Sequence, residues 1–116
     1  MSPTQRSLAM LRAEGYTVAV VERWNPYAMI RQDLFGFADL VAVHPKRRGT
    51  LYVQTTTGSN MAARQHKLTA CAAVAVCLSA GNRVVLHGWR KVAAGRRKDG
   101  GRSKAKRWEC RVVELK

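Results

Sequence analysis

The chain has 116 residues, enough for one hydrophobic core but not for two, so a single domain over 1–116 is expected. Its 21 Lys and Arg against 7 Asp and Glu give a formal net charge of +14, a field that draws in polyanions such as nucleic acid. Three cysteines, an odd count, argue against a disulfide scaffold; no apolar run is long enough to span a bilayer, and no membrane partner is expected.

"SPTQRSLAMLRAEG" places Ser2 at an N-cap, Pro3 at the first helical position and Gly15 just past the end, which predicts a helix over 3–14. "YTVAVVERW" (16–24) is β-branched and aromatic and reads as a strand. "NPYAMIRQDLFG" (25–36) reads as a connection of mixed character, with a turn started by Asn25-Pro26 and a second permitted by Gly36. "ADLVAVH" (38–44) is nearly continuous apolar after Asp39, as in a strand covered on both faces. "PKRRGT" is a turn and "LYVQTTT" (51–57) the next strand.

"GSNMAARQHKLTACAAVAVCLSAG" (58–81) predicts the longest helix, with Ser59 or Asn60 as N-cap and Gly81 after its end. Its second half is apolar all round and is expected to be buried all round. Cys71 and Cys77, about 9 Å apart along that helix, are too distant to bridge and read as reduced packing thiols. "NRVVLHGWRKV" (82–92) and "KRWECRVVELK" (106–116) complete the set as a hairpin. The order gives an α/β protein, a mixed sheet flanked by helices, with a short antiparallel meander and a helical crossover.

The charge is uneven. Residues 90–116 carry eleven Lys and Arg against Asp99, Glu109 and Glu114. A flexible basic arm at 94–106 is expected to follow a phosphate backbone. Its contacts would be Arg90, Lys91, Arg96, Arg97, Lys98, Arg102, Lys104, Lys106 and Arg107, with Arg31 and Arg64 on the rim of the domain. Trp89 and Trp108 bracket the arm; packing across the hairpin is the preferred reading over stacking on bases. Gly58 and the following helix N-terminus suggest a seat for one backbone phosphate, with Arg64 adding charge.

The polar end of the strand "LYVQTTT" suggests a site. If His44 lies opposite Leu51, then Val41 meets Gln54 and Asp39 meets Thr56, so Asp39, Gln54 and Thr56 share a face at one end of the sheet. Strand-favouring Thr residues before an ordinary helix cap would give the same string with no site at all.

"DLFGFADLVAV", then "LYVQTTTGSN" and a helix, resembles the PD-(D/E)XK nuclease superfamily, most of all its small Holliday-junction-resolvase-like and phage-type members. The resemblance covers most of residues 3–92. It implies a restriction-endonuclease-like α-β-β-β-α-β core, here followed by a C-terminal hairpin strand. It further implies Mg²⁺ or Mn²⁺ as cofactor, double-stranded or branched DNA as partner, a homodimer as an allowed assembly, and the cytoplasm of a bacterial or phage-infected cell as the setting. By position, Asp39 matches the metal-binding Asp, Gln54 the Glu/Asp and Thr56 the Lys. Two of these three depart from the pattern: an amide oxygen still ligates a hard cation without bringing charge, and Thr cannot replace Lys at the attacking water. Lys67 is the candidate relocated Lys, and Glu14, Glu22 and Asp33 are the acids that could supplement Asp39. The departures keep two other classes in view: a non-catalytic nucleic-acid-binding module of the same fold, and a phage-encoded protein-interaction factor or inhibitor.

Overall fold

The computed structural model describes residues 1–95, 100–101 and 105–116. Helix α1 (Pro3–Ala13) starts where the Ser2 hydroxyl accepts the Gln5 N–H, and its buried Thr4, Ser7, Leu8 and Leu11 follow the spacing of one helix face. Strands β1 (Thr17–Val20), β4 (Leu40–Val43), β5 (Leu51–Thr57), β6 (Arg83–Ala93) and β7 (Lys106–Leu115) form a sheet in that order. Three of its pairings are antiparallel, and β5 with β6 is parallel. Helices α2 (Met61–Thr69) and α3 (Ala72–Ser79) make the crossover between those two parallel strands.

The sheet is covered on both faces. Leu8 and Leu11 of α1 pack on Val18, Leu40, Leu51, Val53 and Val85. On the other face Met61, Leu68, Val74 and Cys77 pack with Phe37, Val84, Leu86 and Leu115. The expected mixed sheet flanked by helices is present, and the C-terminal hairpin pairs Val84 with Leu115 through Ala93 with Lys106. The tip, where the flexible arm was expected at 94–106, lies largely outside the described residues, including Arg96, Arg97, Lys98, Arg102 and Lys104. Among the described residues no helix is long and apolar enough to cross a membrane.

Several elements differ from the sequence reading. The strand expected over 16–24 ends at Val20, and the 25–36 connection contains structure: β2 (Arg23–Asn25) and β3 (Ile30–Gln32) pair as a separate hairpin. Asn25 Oδ1 closes its tip by accepting the N–H groups of Tyr27 and Ala28 at 2.9 and 3.1 Å. The long helix is broken at Ala70 and Cys71, with Cys71 extended. Thr69 Oγ1 donates to the Gln65 carbonyl at 2.9 Å, a back-bond that loosens a helix. The apolar second half is buried on one face only; Val74 and Cys77 point inward, whereas Val76 is 67% exposed.

The β4–β5 register is displaced by two residues from the expected one. Ala42 pairs with Leu51, Val41 with Tyr52 and Leu40 with Val53. His44 is held outside the ladder by contacts of Nε2 with the Glu14 carbonyl and of Nδ1 with the Lys46 N–H, and this lengthens the turn. In the same turn Gly49 has φ +78°, and a Cβ there would lie 2.6 Å from the Gly81 carbonyl. Gly49→Ala is therefore expected to cost about 1–3 kcal/mol, read as a lower urea midpoint at unchanged slope.

Candidate functional site

Asp39 sits just before β4, where three backbone connections converge. Its N–H donates to the Val53 carbonyl at 2.8 Å, and its carbonyl accepts the Val21 N–H at 2.9 Å. The second bond holds Glu22, next in the chain, beside Asp39. Between them, residues 33–38 make a tight loop: Leu34 and Ala38 exchange both backbone hydrogen bonds, and Phe35 and Gly36 take left-handed φ of 56° and 79°. Phe37 anchors the loop in the core. Asp33 is thereby turned toward Asp39.

The result is a group of three carboxylates, Glu22, Asp33 and Asp39, whose oxygens all lie within 4.8 Å of one another. Asp39 is 6% exposed. Its Oδ2 accepts the Thr55 N–H at 2.8 Å and the Thr55 hydroxyl at 3.2 Å, and that hydroxyl also bonds Thr4 Oγ1 at 2.8 Å. Burial pushes the Asp39 carboxyl up to about 7. The Thr55 N–H opposes that rise, while a hydrogen bond with Asp33 and repulsion from Asp33 and Glu22 reinforce it. With no cation present, the cluster therefore holds a proton near neutral pH.

A cleft of about 240 Å³ opens on this cluster, lined by the three acids with Thr4, Thr55 and Arg64. An adjoining one of about 160 Å³ is lined by Asp33, Gln54, Arg64 and Lys67. Asp33 and Arg64 belong to both. Gln54 is 5% exposed, and its Oε1 has no hydrogen-bond partner among the described residues. An unpartnered acceptor costs stability when buried, and a cation or a donor from a ligand would satisfy it. The donors gathered here are all oxygens, three of them from carboxylates, a set that suits Mg²⁺ or Mn²⁺.

Of the residues selected from sequence, Asp39, Gln54, Lys67 and Arg64 line these two adjoining clefts. Glu22 and Asp33 join them, and Glu14 does not: its carbonyl meets His44 beyond the end of α1. Thr56 lines neither cleft; it is buried, paired with Gly88 further along the sheet. Thr55 takes the place beside Asp39. Sequence reasoning missed Thr55 because strand alternation put it on the opposite face, whereas its main contribution is a backbone N–H, which has no face.

The outer cations are arranged differently. Arg31 is exposed and lies 3.7 Å from Glu22. Arg90 and Arg107 meet Glu109 at 3.1 and 3.5 Å, and Lys91 and Lys106 are exposed. Gly58 at the entry to α2 borders a cleft with Arg90 and Arg111, not with Arg64. Trp89 is core, its Nε1 donating to Ser7 Oγ at 2.8 Å. Trp108 is stacked under the Arg6 guanidinium at 3.7 Å, with Lys91 Nζ 5.3 Å from the ring centre. Cys71, Cys77 and Cys110 are free thiols. No family model, curated protein or solved structure matches the chain.

Proposed function

We propose that the protein is a metal-dependent phosphodiester hydrolase acting on DNA, of the PD-(D/E)XK nuclease-like type. The observation that carries this reading is the buried Asp39 grouped with Asp33 and Glu22, next to a buried Gln54 oxygen that lacks a partner. The element order supports it as well: a helix, three antiparallel sheet strands, a crossover of two helices and a parallel strand, with the β2–β3 hairpin inserted after the first strand, Asp39 at the start of the second sheet strand and Gln54 in the third.

Asp39, Asp33 and Glu22 would hold Mg²⁺ or Mn²⁺, with Gln54 as a neutral oxygen donor at the edge. When bound, the cation polarises the phosphate and lowers the pKa of a water. Thr55 keeps Asp39 oriented through its N–H and hydroxyl. Arg64 borders both clefts and is placed to take a non-bridging phosphate oxygen by charge-assisted hydrogen bonds. Lys67, at the Gln54 side, supplies a second cation for the charge that develops on the phosphate. The surrounding +14 field brings the polyanion in, with a rate that falls as salt rises.

The test is nicking of supercoiled plasmid and of a synthetic four-way junction in 5 to 10 mM Mg²⁺ or Mn²⁺, roughly the usual working range for a weakly held hydrated cation. Wild-type protein is expected to cut, and Asp39→Ala to cut roughly a hundredfold less or worse. Absence of cleavage by the wild type, or cleavage untouched by Asp39→Ala, would remove the catalytic reading. The place of Thr56, away from both clefts and without the Lys of the motif, favours a second reading in which the fold binds nucleic acid and does not cut. That module would bind DNA in EDTA as well as in Mg²⁺.

A further inference from the structure

The β2–β3 hairpin displays large apolar side chains on its surface. Trp24, Met29 and Ile30 are exposed, and Tyr27 at the tip is 97% exposed. Such a concentration on a chain of this size marks a contact surface. The display is ordered, because the Asn25 carboxamide fixes the tip and Met29 is held at φ 55°, a conformation that a Met side chain does not favour. Trp24 and Arg31 are direct cross-strand partners, so an aromatic ring and a guanidinium share one face. At the root of the hairpin a cleft of about 710 Å³ is lined by Arg23, Arg31, Asp33 and Phe35 among others. That volume lies within the usual range for small-ligand pockets. Asp33 is also a wall of the acid cluster, so cleft and cluster lie on either side of one carboxylate.

We infer that this hairpin and the cleft at its root form a docking element for unpaired nucleobases, which would make DNA with single-stranded or splayed segments the preferred substrate. The inference rests on the hydrolase reading for the position of the backbone at the acid cluster. A strand whose phosphate lies at Asp33 and Arg64 would present its neighbouring nucleotide to the cleft, between Arg23 and Arg31. Paired and stacked bases cannot use exposed aromatic rings; unpaired ones stack on them and bring their own phosphates to the arginines. A second copy of this chain fits less well, since it would set Arg23 and Arg31 against another strongly cationic surface.

The experiment measures binding of a fluorescent single strand, a forked duplex and a blunt duplex of equal length, in EDTA so that no cleavage intervenes. Wild-type protein is expected to prefer the forked and single-stranded forms by about tenfold. The double substitution Trp24→Ala and Tyr27→Ala, both exposed, is expected to erase that preference while leaving blunt-duplex affinity and the thermal midpoint unchanged. Three results would overturn the inference: equal wild-type affinity for all three DNAs, a preference that survives the double substitution, or an effect of the substitution on dimerisation or on binding to phosphatidylglycerol vesicles in place of DNA. Asp39→Ala is run alongside. A hairpin-dependent preference without cleavage by wild type leaves the inference standing and removes the hydrolase; cleavage with no hairpin dependence does the reverse.

Discussion

Asp39→Asn is expected to raise the stability of the metal-free protein above pH 7, although it alters the central residue of the candidate site. In the fold the Asp39 carboxyl titrates near 7, against 3.8 for the free group. The unfolded chain gives up its proton at the lower pH, the folded chain at the higher. Between about 4 and about 7 the folded state therefore loses stability as pH rises, and above 7 the whole cost is present, on the order of 4 kcal/mol. Asparagine removes the charge. Its Oδ1 can still accept the Thr55 N–H, and its amide can donate toward Asp33 as the protonated carboxyl does. The neutral acceptor makes a weaker bond, so a net gain of about 2 kcal/mol is expected, or several degrees in thermal midpoint for a domain of this size. Melts in EDTA at pH 8 should show the gain, and melts at pH 4 should not. Addition of Mg²⁺ or Mn²⁺ at pH 8 should raise the midpoint of the wild type and leave that of the variant nearly unmoved, because a ligand stabilises only the state that binds it. A variant less stable than wild type at pH 8 in EDTA would show that Asp39 is not held under electrostatic tension.

This tension was not visible in the chain, though much of the frame was. The apolar runs at 40–43 and 51–53, the Gly15 and Gly81 stops and the short links pointed to the main sheet strands, an antiparallel meander and a helical crossover, though not to which strand the crossover returns beside. What failed was set by particular side chains at a distance. The β4–β5 register depends on His44 being held by a carbonyl 30 residues earlier, and no local pattern carries that. The break in the second helix depends on Thr69 bonding back to Gln65, which competes with good helix formers on both sides. The small hairpin at 23–32 has no buried alternation, since most of its residues are exposed, so the usual strand signal is missing. For the site, Asp39, Gln54 and Lys67 could be chosen from strand ends and helix spacing. Glu22 and Asp33 could only be named as available acids, because the loop that gathers them is made by backbone bonds between residues 21 and 39 and between 34 and 38.

The second large effect belongs to His87, the ladder partner of Thr55 and therefore on the same α1-covered face of the sheet. It is 2% exposed, and its Nδ1 is hydrogen-bonded with Ser7 Oγ at 2.8 Å, while the same oxygen accepts the Trp89 indole N–H. Burial lowers its pKa to about 4, from 6.5 in the free group. The neutral ring is what the fold accommodates, because burial strips the charged imidazolium of its hydration. Below about pH 6.5 the unfolded chain takes up a proton that the folded chain refuses, so stability is lost progressively down to about pH 4, by roughly 3 kcal/mol in total. In the wild type this loss is masked, because protonation of Asp39 restores a comparable amount over nearly the same interval. The two groups make separate hydrogen bonds, Asp39 with Thr55 and His87 with Ser7, but Thr55 and His87 are ladder partners, so their contributions add only approximately. Asp39→Asn removes the masking term. Urea unfolding of that variant in EDTA is therefore expected to lose roughly 3 kcal/mol between pH 7.5 and pH 4, where the wild type stays nearly level. Adding His87→Gln to it should lower stability at every pH, yet flatten the profile. An Asp39→Asn profile parallel to the wild-type one would mean that the two titrations do not oppose each other, and an unflattened double variant would mean that the acid loss arises outside the Ser7–His87–Trp89 network.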